Sequence, residues 1–182
     1  MHYAVTDYVL DIVQNACEAR ASKVKVRFCE TPAFIDVVVE DDGKGMSHEE
    51  QEAALDPFHS EAGKHPGRKV GLGLPFLKQA TEQCGGVFEL VSEPGKGARL
   101  HFSFDRSNID CPPVGDVVSF ILSALCLPGE QELCIERIRD DGHGSPSSYM
   151  LNKGELAEAV GGLEKVASLA LLKSYIRSLE EG

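Results

Sequence analysis

The sequence predicts an α/β protein: a two-layer α/β sandwich, with a mixed sheet carrying helices on one face, followed by a second small α/β unit. Three observations predict it. Helical and β-branched stretches follow in the order helix, strand, strand, long loop, helix, strand, strand, and a single sheet with helices on one face would bury them together. Apolar residues make up 42% of the 182, enough for a core and against disorder. A turn- and proline-rich stretch, "RSNIDCPP", then separates this set from a later helix, two strands and two helices. The expected organisation is residues 1–105, a linker at 106–113, and a small C-terminal unit over 114–182.

Each element has its own signal. Thr6 can cap the first helix, with Asp7 in its first turn. Tyr8, Val9, Ile12, Val13, Ala16 and Ala19 recur at helical spacing to about Arg20. "KVKVRFC" alternates, placing Val24, Val26 and Phe28 on one face, while "FIDVVVE" is nearly continuous and suits a central strand. Between Ser47 and Val70 only a short acidic helix at 48–55 fits a pattern. The rest is glycine-rich and basic, a loop long enough to suggest function or mobility. "GLGL" leads into a helix with Pro75 in its first turn and Gly85-Gly86 at its end. "VFELVS" and "ARLHFSF" form a hairpin around "EPGKG". Beyond the linker, "VGDVVSFILSALCL" is apolar almost all round, hence buried or at an interface. "ELCIERIR" and "SYML" read as strands, and "KGELAEAV" and "KVASLALLKSYIRSLEE" as amphipathic helices. The stretch "DDGHGS" at 140–145 echoes an earlier "DDGKGM". No asparagine matches Asn15 on the helix before it, so a hairpin turn explains it more simply.

Composition excludes several classes. A net charge of −11 disfavours nucleic acid and anionic membranes as partners. No apolar run approaches membrane-spanning length, and "MHYAVTDYV" lacks the basic-then-apolar pattern of a secretion signal. The expectation is a soluble, cytoplasmic protein. The six cysteines show no C-x-x-C pair, and no histidine stands at zinc-ligand spacing. They read as small buried hydrophobes kept reduced. Lys64, His65, Arg68 and Lys69 form a local basic cluster, either a solvated loop or a contact for an anion.

Four short stretches carry possible chemistry. Asp11 and Asn15, four residues apart on the first helix, project from one face. A carboxylate and an amide oxygen together could hold magnesium, which takes oxygen ligands. "VEDDGKGM" ends a strand in two acids and two glycines; Asp-Gly could simply reverse the chain, or a ligand could approach the backbone while one acid reads it. "GLGLPF" offers backbone N–H groups at a helix start, suited to phosphate. It is neither a Rossmann fingerprint nor a Walker loop. Gly95 and Gly97 in "EPGKGA" make a tight hairpin or a further close approach.

Together "DIVQNACEA", "DDGKGM", "PFHS", "KVGLGL" and "SEPGKGA" occur in the order and spacing that resemble the ATP-binding fold shared by DNA gyrase, the heat-shock chaperone, histidine kinases and MutL, the GHKL superfamily. The resemblance covers roughly residues 5 to 104. "QNACEARASKVKV" looks like the MutL type, and the later segments look more like a histidine kinase. The resemblance implies ATP and Mg2+ as ligands. It makes Asn15 the metal ligand, and Asp41 the acceptor for the adenine amino group, with Gly43 and Gly45 making room and Met46 packing on the base. Phe58 falls in the lid region, and residues 47–70 become a mobile ATP lid. Gly71, Leu72, Gly73 and Leu74 would offer amides to phosphate, and Lys64, Arg68 or Lys69 could reach its end. Gly95 and Gly97 close the site. Two departures stand out. Many hydrolysing members carry glutamate where this chain has Asp11, so slow hydrolysis or none is implied. Ala98 replaces a frequent hydroxyl residue.

The resemblance implies an ATP-dependent protein kinase or slow ATPase acting with a partner protein, similar to the small kinases of anti-sigma pathways, with Asp11 assisting proton removal. The alternative is a non-catalytic, ATP-gated interaction module. Only His2 precedes the first helix, so the reading expects no built-in phosphoacceptor hairpin. A partner protein or a second copy of the chain is expected.

Overall fold

The computed structural model describes residues 4–57 and 73–181. Its elements are α1 (Val5–Glu18), β1 (Lys23–Glu30), β2 (Phe34–Asp41), α2 (His48–Leu55), α3 (Gly73–Gln83), β3 (Phe88–Glu93), β4 (Gly97–Asp105), α4 (Val117–Leu125), β5 (Glu132–Arg139), β6 (Ser147–Asn152), α5 (Lys153–Val160) and α6 (Val166–Glu181). Phe58, Lys64, His65, Arg68, Lys69, Gly71 and Leu72 lie outside the described residues.

One six-stranded sheet, ordered β3-β4-β2-β1-β5-β6, organises the chain. β1 pairs antiparallel with β2 and parallel with β5, and the remaining neighbours are antiparallel. The mixed sheet matches the expected α/β class. The expected separate C-terminal unit needs correcting, because β5 and β6 extend the first sheet rather than forming their own. The reason lies in β1, whose Val24, Val26 and Phe28 are fully buried. Without β5 that strand would be an open edge. Parallel pairing satisfies its backbone groups and adds Leu133 and Ile135 to the same buried row.

Among the described residues, helices cover one face. α1 packs against α3 on one side and α4 on the other, and α4 packs against α6. The core joins Val5, Val9 and Val13 of α1, the inward rows of β1, β2, β4 and β5, and Ile121 and Ala124 of α4, with Leu172 and Ile176 of α6. Phe28 and Phe120 meet edge-to-face at 6.5 Å. Each such large apolar side chain contributes roughly 1.5–3 kcal/mol on burial. The other face is a ladder of charge, with Lys23–Glu132 and Arg27–Glu136 at 3.5 Å, Arg99–Glu40 at 3.1 Å and His101–Asp36 at 2.7 Å. Such alternation is what one buried and one solvated face require.

Residues 106–113 are not a free tether. Val5 N–H donates to the Pro113 carbonyl (2.9 Å) and Thr6 N–H to that of Val114 (3.0 Å). These bonds satisfy the first donors of α1. The helix therefore starts at Val5, and Thr6 is buried in it instead of capping it. Asp7 reaches back to Ala4 N–H at 2.9 Å. The short acidic helix at 48–55 forms as expected, because Ser47 and Glu50 make a reciprocal capping box. The cysteine expectation holds only for Cys84, which is buried. Cys126 is exposed and the other four are partly so, since they stand at helix ends (Cys17, Cys126), on the open sheet face (Cys29, Cys134) and in the connection between β4 and α4 (Cys111). The 140–145 stretch is the turn between β5 and β6. Among the described residues no helix is long and apolar enough to cross a membrane.

Candidate functional site

The two aspartates that end β2 have separate fates. Asp42 is committed to structure: one carboxylate oxygen accepts the N–H groups of Ser22 and Lys23, both at 2.7 Å, and the other accepts the Ser22 hydroxyl at 2.6 Å. These bonds, the Ser22 hydroxyl foremost, hold its carboxyl below the usual range. Asp41 points to the helix side, in the cross-strand row of Val24 and Ala98. It is half-buried and accepts the Gly43 N–H at 2.8 Å. Burial pushes its carboxyl above the usual range, against the pull of the Gly43 and Ala98 backbone. Among the described residues no cation pairs with it.

The glycines around Asp41 are there for close approach. A Cβ on Gly43 would come within 2.9 Å of the Asp41 carboxylate and 3.0 Å of Ala19. Gly45 has φ +64°, and a Cβ there would overlap the Glu93 carbonyl. At Gly97, with φ +84°, it would overlap the Asp41 carbonyl. No side chain fits either place. Gly95 differs: its φ of +76° shapes the turn, but a Cβ there would meet open space. Its N–H donates to the Lys44 carbonyl at 2.7 Å.

One face of α1 links the remaining parts. Asp11, Asn15 and Ala19 stand at successive four-residue steps, so they line one stripe about 12 Å long. At one end the Ala19 carbonyl accepts Lys44 N–H at 3.1 Å. At the other, Gly73 starts α3 so close to Asp11 that a Cβ would overlap its carboxylate. Asn15 lies exposed between them. Pro75 is buried in the first turn of α3 and Leu74 packs against the core, which fixes this helix start. The structure thus gathers Asp41, Gly43, Gly45, Met46, Gly95 and Gly97 at the end of β2, and sets Asp11, Gly73 and Leu74 at the other end of the α1 stripe, with Asn15 between the two groups.

Sequence reasoning missed three residues. Ser22 occupies Asp42 and so leaves Asp41 as the available acid. Ser92 and Gln51 bind the Gly43–Met46 loop to the hairpin: Met46 N–H donates to the Ser92 hydroxyl (2.9 Å), and the Gln51 amide donates to the Ser92 carbonyl (3.0 Å). Ser92 opens the quoted "SEPGKGA" stretch, where the glycines drew the attention, and a glutamine in an acidic helix carries no motif signal; only the fold brings the two together. A shallow cavity of about 290 Å³, lined by Glu40, Val91, Glu93 and Arg99 among others, lies against the same hairpin. These four residues belong to the open face of the sheet, opposite the side toward which Asp41 points.

The family described as histidine kinase-, DNA gyrase B- and HSP90-like ATPase matches residues 4–108. The sensor histidine kinase CpxA of Escherichia coli (strain K12) is 34% identical over 92 residues, covering 50% of this chain and 20% of its own length. The sensor histidine kinase ZraS of Klebsiella oxytoca is 41% identical over 98 residues, covering 52% and 20%. The chain thus spans about a fifth of the length of these curated relatives. Among solved structures, the N-terminal domain of a DNA repair protein is similar at a TM-score of 0.53 and 13% identity, covering 91% of this chain and 58% of that one. That likeness is one of fold alone, and coverage of 91% carries it past residue 108 into the C-terminal strands and helices. With more than half of its length matched and the family's glycine-bearing loops assembled around Asp41, the chain belongs to the histidine kinase-, DNA gyrase B- and HSP90-like ATPases.

Proposed function

We propose that this chain binds ATP with magnesium between α1, the Asp41–Met46 loop and the start of α3, and uses it in a partner-dependent phosphotransfer or slow hydrolysis. The observation that carries the reading is the contrast between Asp41 and Asp42. One acid is spent on backbone N–H groups and a hydroxyl. The other is half-buried and has no cation among the described residues, at a cost that a hydrogen-bond donor on a ligand would offset. The amino group on C6 of adenine is such a donor, and the carbonyl that guanine has at the same position is not, so adenine is preferred. Gly43, Gly45 and Gly97 keep the surrounding wall made of backbone, and Met46 supplies an apolar face for the base. Gly73 and Leu74, with Gly71 and Leu72 outside the described residues, offer N–H groups to phosphate.

Asp11 and Asn15 supply oxygens on one helix face, the donor type magnesium takes. A bound magnesium ion would offset charge on the phosphates. Asn15 is the assigned ligand. Asp11 is assigned as the base: the bond from the terminal phosphorus to its bridging oxygen breaks, a bond to the acceptor oxygen or nitrogen forms, and the acceptor proton passes to the carboxylate. The shorter Asp11, seated against Gly73, places this base close to the helix, which suits slow turnover. Lys64, Arg68, Lys69 and Phe58 are proposed lid contacts.

Calorimetry with MgATP and MgGTP tests the binding: the reading expects heat with ATP and little with GTP, and no heat with either ends it. Radiolabelled ATP tests the chemistry. Phosphate release or transfer to a captured partner, abolished in Asp11→Asn, supports catalysis. Tight binding with neither outcome replaces catalysis with ATP-gated partner binding.

A further inference from the structure

Resting on the ATP reading above, we infer that Ser92 and Gln51 are positioning residues that set base selectivity, through a clamp holding Met46 and the Asp41 strand end at a fixed separation. The Ser92 hydroxyl does two things at once. It accepts Met46 N–H at 2.9 Å and donates to the Gly97 carbonyl at 2.7 Å. Gly97 is the residue whose backbone lies against the Asp41 carbonyl, too near for a side chain. Ser92, Ala98 and Asp41 form one cross-strand row. A single hydroxyl therefore ties the assigned base-packing residue to the start of β4, the strand paired with the end of β2 that carries the assigned base-reading acid.

Gln51 closes the clamp from α2. The two hydrogens of its amide are shared among three carbonyls, those of Ser92 (3.0 Å), Met46 (3.3 Å) and Ser47 (3.4 Å). Three convergent acceptors suit an amide NH2 and no carboxylate. Neither residue has Asp41 as a partner, so both act through the loop. Ala98 leaves the row without a hydroxyl beside Asp41. Fixing the height of Met46 from β3 is then the means by which the base keeps its distance from Asp41. If the loop drifts, the adenine amine and the carboxylate lose alignment, and hydrogen-bond selectivity falls steeply with geometry.

The full chain with Ser92→Ala tests this in two ways. In ligand-free protein, hydrogen exchange at the Met46 amide should accelerate at least about 10-fold, because its acceptor is gone. In competition binding, the preference for MgATP over MgGTP should narrow by about 10-fold. Ser92→Thr, which keeps the hydroxyl, should restore both. Gln51→Glu, which sets an acceptor among three carbonyls, should narrow the preference in the same direction, and it covers the case in which Ser92→Ala does not fold. A merely structural role would weaken ATP and GTP equally and leave their ratio alone. That result, or unchanged Met46 exchange in Ser92→Ala, overturns the inference while the ATP reading stands. A wild-type chain without any preference for ATP overturns both.

Discussion

The two ends of β1 treat buried charge in opposite ways. At its far end Arg137 is almost fully buried, yet every need is met. Its guanidinium pairs with Glu30 and, at 3.2 Å, with Glu180; it donates to the Ile138 carbonyl and lies 4.8 Å over the Phe28 ring. Arg106 adds a second cation to Glu30 at 3.1 Å, and the Tyr149 hydroxyl donates to Glu180 at 2.5 Å. Burial and that bond push the Tyr149 hydroxyl far up. At the near end Asp41, among the described residues, has only backbone donors. The first end is complete and fixes the C-terminal helix to the sheet. The second, among the described residues, has no charged partner. The difference teaches where in this molecule a buried charge is matched within the fold and where, on the proposed reading, it waits for a donor from a ligand.

The largest test of that contrast is Arg137→Ala. It strands Glu30 and Glu180 and opens a cavity beneath Phe28. Breaking a buried pair of this kind costs roughly 3–5 kcal/mol, read as a shift of the denaturation midpoint. ATP affinity, measured where the variant is still folded, should change less than about twofold, because the network lies at the opposite end of the strand. A large loss of affinity would mean that the two ends are coupled.

The next test stays at the near end and compares two glycines of one hairpin. Gly97→Ala puts a methyl into the Asp41 carbonyl at positive φ, so it should cost about 3 kcal/mol or prevent folding. Gly95→Ala has positive φ but open space around it, and should cost only about 1 kcal/mol. Equal effects would remove the close-approach argument and leave a simple turn.

Neighbouring acids give a smaller and sharper test. Asp41→Asn should lower ATP affinity by about 10- to 100-fold, since its amide can present a donor where an acceptor is needed. It should leave unliganded stability equal or slightly higher, because a charge disfavoured by burial is gone. Asp42→Asn should reverse the pattern. It weakens three bonds and costs about 1 kcal/mol with little change in affinity. Paired calorimetry and thermal melts on both variants decide it; a loss of affinity in Asp42→Asn alone would exchange their roles.

The sequence made the near end legible and the far end invisible, for a physical reason. Asp41, Gly45 and Gly97 sit in short contiguous stretches, because a backbone-built wall needs glycine at set positions along one strand and its turns. The alternation in β1 and the β-branched run in β2 also follow from local period. Arg137, Glu30, Tyr149 and Glu180 are scattered over 150 residues, and only the tertiary fold makes them partners. The same is true of the pairing of β1 with β5. The periodicity of "ELCIERIR" showed a strand but not its neighbour, so a separate unit was expected where one sheet continues. Thr6 read as a cap because the carbonyls of Pro113 and Val114, distant in sequence, take that role.

The smallest expected effect is the dependence on pH, and the two aspartates bend it in opposite senses. For Asp42 the folded carboxyl lies below its unfolded value. Its stabilisation is present above the unfolded value and is lost as pH falls through the folded one. For Asp41 the folded carboxyl lies above the unfolded value. Below both values it carries no penalty, and the penalty grows as pH rises through that window. Comparing wild type with Asp41→Asn and Asp42→Asn in acid titrations of stability should therefore give differences of opposite slope, each under about 1 kcal/mol because both groups remain partly solvated. Bound ATP sharpens the Asp41 side. On the proposed reading its amine needs the ionised carboxylate, so affinity should begin to fall above the ordinary carboxylate range as pH is lowered. The same titration in Asp41→Asn removes the contribution of the phosphates themselves. Parallel curves for the two proteins would show that Asp41 does not titrate against the ligand, and would place base recognition elsewhere.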